Sequence, residues 1–134
     1  MAVFEKKLIL AFAVLLLGCQ SKIKMKVLSK EKLKRVFLKE KEFILELSKD
    51  ECPYCIMISE NEMEIRTYNR LPEYKYILPA ESAESDVSEL EEYLEPLKYV
   101  PCFYHIKDGK VVSYKVIRDW KNLENELEMW LNNQ

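Results

Sequence analysis

Hydrophobic and polar positions along this chain fall into two rhythms, one helical and one extended. Leu33, Val36 and Phe37 recur at helical spacing with Glu40 next in the series, and Ser29 precedes them as an N-cap. An amphipathic helix is expected from there to about Lys41. Lys32 rather than an acid holds the third helical position, so no capping box forms. Residues 25–28 read as a short edge strand. Residues 42–48 are mostly apolar and read as a buried strand that carries one acid, Glu46. Residues 49–51 turn the chain, and a second helix is expected over residues 53–70. Pro53 is harmless in its first turn, where its missing N–H has no helical partner anyway. Residues 74–78 form a third strand closed by Pro79. Ser85 or Asp86 is expected to cap a helix whose apolar residues are Val87, Leu90, Tyr93 and Leu94, and Pro96 ends it. Residues 102–106 and 110–116 are the arms of a hairpin. Asp108-Gly109 between them is a strong turn signal, because glycine accepts the positive φ of a tight hairpin. Trp120, Leu123, Leu127, Trp130 and Leu131 share one face of a final helix, where the aromatics serve the core.

The resulting order is β-α-β-α-β-α-β-β-α. Helices alternating with strands imply parallel pairing, and the closing hairpin adds antiparallel strands. The expected fold class is α/β, a mixed β-sheet flanked by helices on both faces.

The first 19 residues change the picture of where such a domain works. Glu5-Lys6-Lys7 precedes ten uncharged residues, Leu8 to Leu17, and the segment ends Leu16-Leu17-Gly18-Cys19. The apolar core is shorter than the roughly 20 residues a bilayer span needs, and it fits the h-region of a secretory signal. The end of the segment resembles the lipobox of bacterial lipoproteins, in which the cysteine is lipidated and becomes the first residue of the mature chain. On that reading residues 1–18 are a lipoprotein-type signal peptide, Cys19 is lipidated, 19–26 are a tether and 27–133 are the folded domain. The expected location is the extracytoplasmic face of a bacterial cell membrane. An uncleaved signal anchor, or a cleaved signal with Cys19 unmodified, is the alternative. Removing 18 of the 134 residues leaves 116, enough for one core without staples. The net charge of −2 leaves no nucleic-acid footprint. The lysine-rich stretch 22–41 reads as a solvated linker and helix face rather than a membrane-binding patch.

Cys52-Pro53-Tyr54-Cys55 carries the chemistry. Two thiols two residues apart close a small disulfide or clamp a metal. Here the pair follows the apolar strand and opens a helix, so Cys52 sits at a helix N-terminus, whose partial positive charge stabilises a thiolate. The thiolate is the species that attacks disulfides. In an extracytoplasmic compartment such a pair is structural or redox-catalytic.

The element order, with CxxC after the first central strand, resembles the thioredoxin superfamily, and the resemblance spans about residues 25–133. Val100-Pro101 and the run through Lys107-Asp108-Gly109 match the proline, strand and turn of that family. The resemblance implies a cis-proline at Pro101 beside the cysteine pair. It also implies a buried acid at Glu46, six residues before Cys52, which would hold its proton tightly in an apolar strand and serve as the base for Cys55. On the alternating pattern of Ile44, Glu46 and Ser48, the acid could instead face solvent. Cys52 would be the nucleophile and Cys55 the resolving thiol; Val100 and Pro101 would position the substrate backbone, and Pro53 and Tyr54 would tune and flank the thiolate. No cofactor is expected beyond the Cys52–Cys55 disulfide itself. The implied partners are substrate proteins with thiols or disulfides, a membrane electron donor, and the membrane through the lipid. Glu51 stands where thioredoxins hold a tryptophan, the Pro-Tyr dipeptide is similar to that of glutaredoxins, and the late glycine before the last helix is missing. Within the superfamily the lysine-rich first helix, the strand and the CPYC motif are similar to the bacteriocin transport accessory proteins of Gram-positive bacteria.

Two other readings compete. Cys52, Cys55, Cys102 and His105 superficially suit zinc, but residues 102 and 105 are three apart in a strand and point to opposite faces. No metal is therefore expected, and His105 is read as an ordinary strand residue. The alternative to catalysis is a lipoprotein accessory or binding module whose Cys52–Cys55 bond is only a clip. A clip closing so short a loop stabilises little. Cys102 is read as a buried small hydrophobe rather than a third redox thiol.

Overall fold

The computed structural model describes residues 25–61, 71–95, 97 and 100–134. Residues 1–24, with the signal segment and Cys19, lie outside these, as do residues 62–70 of the expected second helix and Pro96. The elements are β1 (Lys26–Val27), α1 (Lys30–Lys39), β2 (Glu42–Lys49), α2 (Pro53–Asn61), β3 (Glu73–Leu78), α3 (Glu84–Glu91), β4 (Cys102–Lys107), β5 (Lys110–Val116), a 3₁₀ turn (Trp120–Asn122) and α4 (Leu123–Asn132). Among the described residues they form one five-stranded sheet in the order β1-β3-β2-β4-β5. β3 pairs parallel with both β1 and β2; β4 pairs antiparallel with β2 and β5. The mixed α/β sheet expected from the element order is the one observed.

The period of two in β2 sorts its side chains onto two cores. Phe43, Leu45 and Leu47 join Leu33 and Phe37 of α1 and Leu90 of α3 on one face. Ile44 joins Ile58 of α2 and Leu123 and Leu127 of α4 on the other. Both faces of the central strand are therefore covered, as the near-continuous apolar run of β2 requires.

Local chemistry explains most of the element ends. Ser29 caps α1, its hydroxyl accepting the Lys32 N–H at 3.3 Å. Asp108 and Gly109 take φ values of 52° and 73°, the left-handed pair of a two-residue hairpin turn. α1 stops at Lys39, and Glu40 leaves the helix as its C-cap. The cap of α3 differs from expectation. Ala83 holds the N-cap position without a side-chain bond, and its carbonyl accepts from the N–H groups of Asp86 and Val87. Asp86 sits inside the first turn, where Lys30 of α1 engages it at 2.8 Å. Lys30 and Lys34 also pair with Glu89, so part of the lysine-rich face binds α3 and is not simply solvated. The last helix begins with a 3₁₀ turn containing Trp120, and Trp120, Trp130 and Leu131 pack on the second core as their spacing predicts.

Candidate active site

The CPYC segment lies where β2 hands over to α2. Glu51 turns the chain there with a φ of 63°, a left-handed conformation that non-glycine residues seldom adopt. Cys52 then takes the N-cap position of α2. Its carbonyl accepts the Ile56 N–H at 3.0 Å, and its sulfur accepts the Cys55 N–H at 3.4 Å. Sulfur thus stands where a serine or aspartate oxygen usually caps a helix. The result is a backbone donor aimed at the atom that carries negative charge during thiol–disulfide exchange.

The two thiols differ in access. Cys52 is half-buried, whereas Cys55 is 2% exposed. Burial, and then the hydrogen bond with Cys52, push the Cys55 thiol up to about 11 from its ordinary 9.0. The Ser48 hydroxyl and the Lys49 N–H bond Cys55 and pull the other way. All three described cysteines carry free thiols.

Glu46 and Ser48 project from β2 onto the face covered by α2, together with Ile44. Glu46 is fully buried, so the solvent-facing alternative does not hold. Its register partner on β3 is Lys75, which is 4% exposed. Lys75 Nζ lies 3.6 Å from Glu46 Oε1 and donates to Ser59 Oγ of α2 at 3.3 Å. A buried ion pair thus ties the strand bearing the acid to the helix bearing the thiols.

The second wall of the site is the loop before β4. The Val100–Pro101 peptide bond is cis, as the resemblance implied. Arg118 joins the two walls. Its Nη1 donates to the Val100 carbonyl at 3.3 Å, and its guanidinium carbon lies 5.2 Å from the centroid of the Tyr54 ring. Tyr54 itself is 47% exposed, and Met57 one turn along α2 is also exposed. Pro53 is exposed beside them and Pro101 is buried.

Cys102 and His105 do not join this constellation. Cys102 is fully buried in the first core, and burial pushes its thiol up to about 11. His105 lies toward the opposite end of β2, where Nε2 is 2.7 Å from Glu42 Oε1 and Nδ1 is 3.0 Å from Gln134 Oε1. It is a strand residue, as expected, and a buried one built into a polar network. Reading the sequence missed Lys75 and Arg118. Lys75 carried a signal of the same kind as Glu46, a charge inside an apolar strand. Arg118 carried none, because its position depends on loop closure.

No protein-family model and no curated protein sequence matches the chain. Solved structures do match. Oxidised thioredoxin from Plasmodium falciparum is similar with a TM-score of 0.56 and 19% identity, over 80% of this chain and 98% of that one. Thioredoxin from Aeropyrum pernix is similar with a TM-score of 0.55 and 17% identity, over 77% and 84%. A chain from the complex of ferredoxin:thioredoxin reductase with thioredoxin f2 is similar with a TM-score of 0.57 and 16% identity, over 80% and 94%. The chain has the thioredoxin fold. Within that fold, the helix capped by Cys52 follows the central strand, and the cis-proline opens the hairpin strand beside that strand.

Proposed function

We propose that the chain is an extracytoplasmic thiol–disulfide oxidoreductase acting on protein disulfides. The observation that carries the reading is the asymmetry of the pair. The more accessible Cys52 sulfur caps a helix and accepts a backbone N–H, while Cys55 is buried one turn inside. In the reducing direction, the Cys52 thiolate attacks a substrate disulfide. One substrate sulfur leaves as a thiol, and the other is held in a mixed disulfide. Cys55 gives up its proton and attacks the Cys52 sulfur. The Cys52–Cys55 disulfide forms, the second substrate thiol is released, and two electrons have passed to the substrate. The oxidising direction is the reverse.

A thiol pushed up to about 11 needs a base at the resolving step. Glu46, the acid on the strand face beneath α2, fills that role, with Lys75 Nζ 3.6 Å from its Oε1. Ser48 and the Lys49 N–H support the Cys55 thiolate as it forms. Val100 and Pro101 align the substrate backbone, and Pro53 and Tyr54 form the facing edge. Exposed Tyr54 and Met57 offer an apolar surface suited to a polypeptide substrate.

The Leu16-Leu17-Gly18-Cys19 segment supports anchoring through a lipid on Cys19, outside the cytoplasmic membrane. A membrane protein would then recharge the pair with electrons. Loss of the chain from the membrane fraction in Cys19→Ser tests the anchor.

The reduction potential of the Cys52–Cys55 pair tests the function. A value near about −270 mV marks a reductase, and one near about −120 mV marks an oxidant. A pair that exchanges with neither thiols nor disulfides overturns the enzyme and leaves a binding module with a structural clip.

A further inference from the structure

We infer that Arg118 is a substrate-positioning residue, the strut that holds Tyr54 against the Val100–Pro101 loop and so sets the width of the cleft over Cys52. The inference rests on the oxidoreductase reading of that cleft. Arg118 belongs to the short segment between β5 and the 3₁₀ turn. Ile117 anchors that segment: it is fully buried, and its N–H reaches the Pro101 carbonyl at 3.4 Å. With its neighbour fixed to the proline loop, Arg118 starts from a defined place at the rim. From there it contacts one group on each wall, the Val100 carbonyl at 3.3 Å and the Tyr54 ring at 5.2 Å.

The chemistry of the two contacts suits arginine. A guanidinium is permanently charged and planar, so it lies over an aromatic face while its fork of N–H groups donates sideways. Lysine has a point charge and no plane, and keeps only part of this. Tyr54 is 47% exposed, so its ring has solvent on its outer side. A contact that limits its rotation preforms the edge against which a substrate backbone lies, which lowers the ordering cost of binding. A small disulfide does not span both walls and makes little use of the strut.

The test uses the full-length chain in mild detergent, with insulin as the protein disulfide and 5,5′-dithiobis(2-nitrobenzoate) as the small one. In Arg118→Met the KM for insulin relative to that for the small disulfide should rise about two- to fivefold, the range of an exposed cation–π contact, with kcat changed less than KM. Arg118→Lys should recover part of the loss. Tyr54→Leu should raise the same ratio, and the double variant should be no worse than the worse single one, because either substitution breaks the Arg118–Tyr54 contact that makes the strut. An unchanged ratio in Arg118→Met, or additive effects in the double variant, overturns the strut while the enzyme stands. A parent protein inert to both disulfides overturns the oxidoreductase reading and the strut with it.

Discussion

Glu46 and Lys75 face each other across β2 and β3 as register partners, with Lys75 Nζ 3.6 Å from Glu46 Oε1 and both side chains buried. Removing one member of a buried pair leaves the other charge in the core, at a cost of about 3–5 kcal/mol. Lys75→Met should therefore destabilise the domain by that order at neutral pH. Glu46→Gln combined with Lys75→Met should recover much of the loss. Urea unfolding at pH 7 measures this, and a double variant no more stable than Lys75→Met would count against a charged pair.

The burial difference between Cys52 and Cys55 predicts an order of modification. Iodoacetamide should label Cys52 first, with Cys55 and Cys102 following only when the protein opens. Cys55→Ser should accumulate a mixed disulfide between Cys52 and substrate, while Cys52→Ser should trap none. Mass spectrometry of peptides after a short pulse reads both outcomes; early label on Cys55 would reverse the proposed roles.

Alkaline pH should weaken the reduced fold. Cys55 and Cys102 are each pushed up to about 11 by burial, against an ordinary 9.0. Unfolding exposes thiols that ionise near 9, so the unfolded state releases protons earlier than the folded state. The stability these thiols contribute is present in full below about pH 9 and is lost as pH rises through about 11. In a thiol reductant, the stability gap between the parent and Cys102→Ala should narrow from pH 8 to pH 11. A constant gap in the urea midpoints would contradict it.

What the sequence disclosed and what it concealed follow from the range of the interactions. The Ser29 cap, the Asp108-Gly109 turn and the position of Cys52 at a helix start depend on neighbours within four residues. So does the face shared by Leu123 and Leu127. The resemblance to thioredoxins supplied the cis bond before Pro101, which no local pattern reveals, and the role of Glu46, whose place in an apolar strand already marked it as a buried acid. Other features depend on register and closure. Lys75 meets Glu46 only because β3 pairs with β2 at that offset. Ser85 or Asp86 was expected to cap α3, but Ala83 takes that place and Asp86 pairs with Lys30, 56 residues away in sequence. His105 gains Glu42 from β2 and Gln134 from the residues after α4. Arg118 finds Tyr54 only when the segment after β5 folds back over the proline loop.

Two backbone positions with positive φ should respond in opposite directions to substitution. Gly109 has a φ of 73°, and a Cβ there would meet the Phe37 carbonyl oxygen at 3.6 Å, an ordinary contact. The cost of Gly109→Ala is therefore conformational, about 1–2 kcal/mol for a left-handed alanine. Glu51 has a φ of 63° but is not glycine, so Glu51→Gly relieves the same kind of penalty. The gain is partly offset by the added freedom of glycine in the unfolded chain, which leaves a net stabilisation of about 0.5 kcal/mol. Glu51 immediately precedes Cys52, so the freed turn should also loosen the presentation of the Cys52 sulfur to the Cys55 N–H. Chemical denaturation of the two variants, with Cys52 alkylation rates measured alongside, checks both statements. Destabilisation by Glu51→Gly would mean that the Glu51 side chain contributes more to this turn than its backbone strain costs.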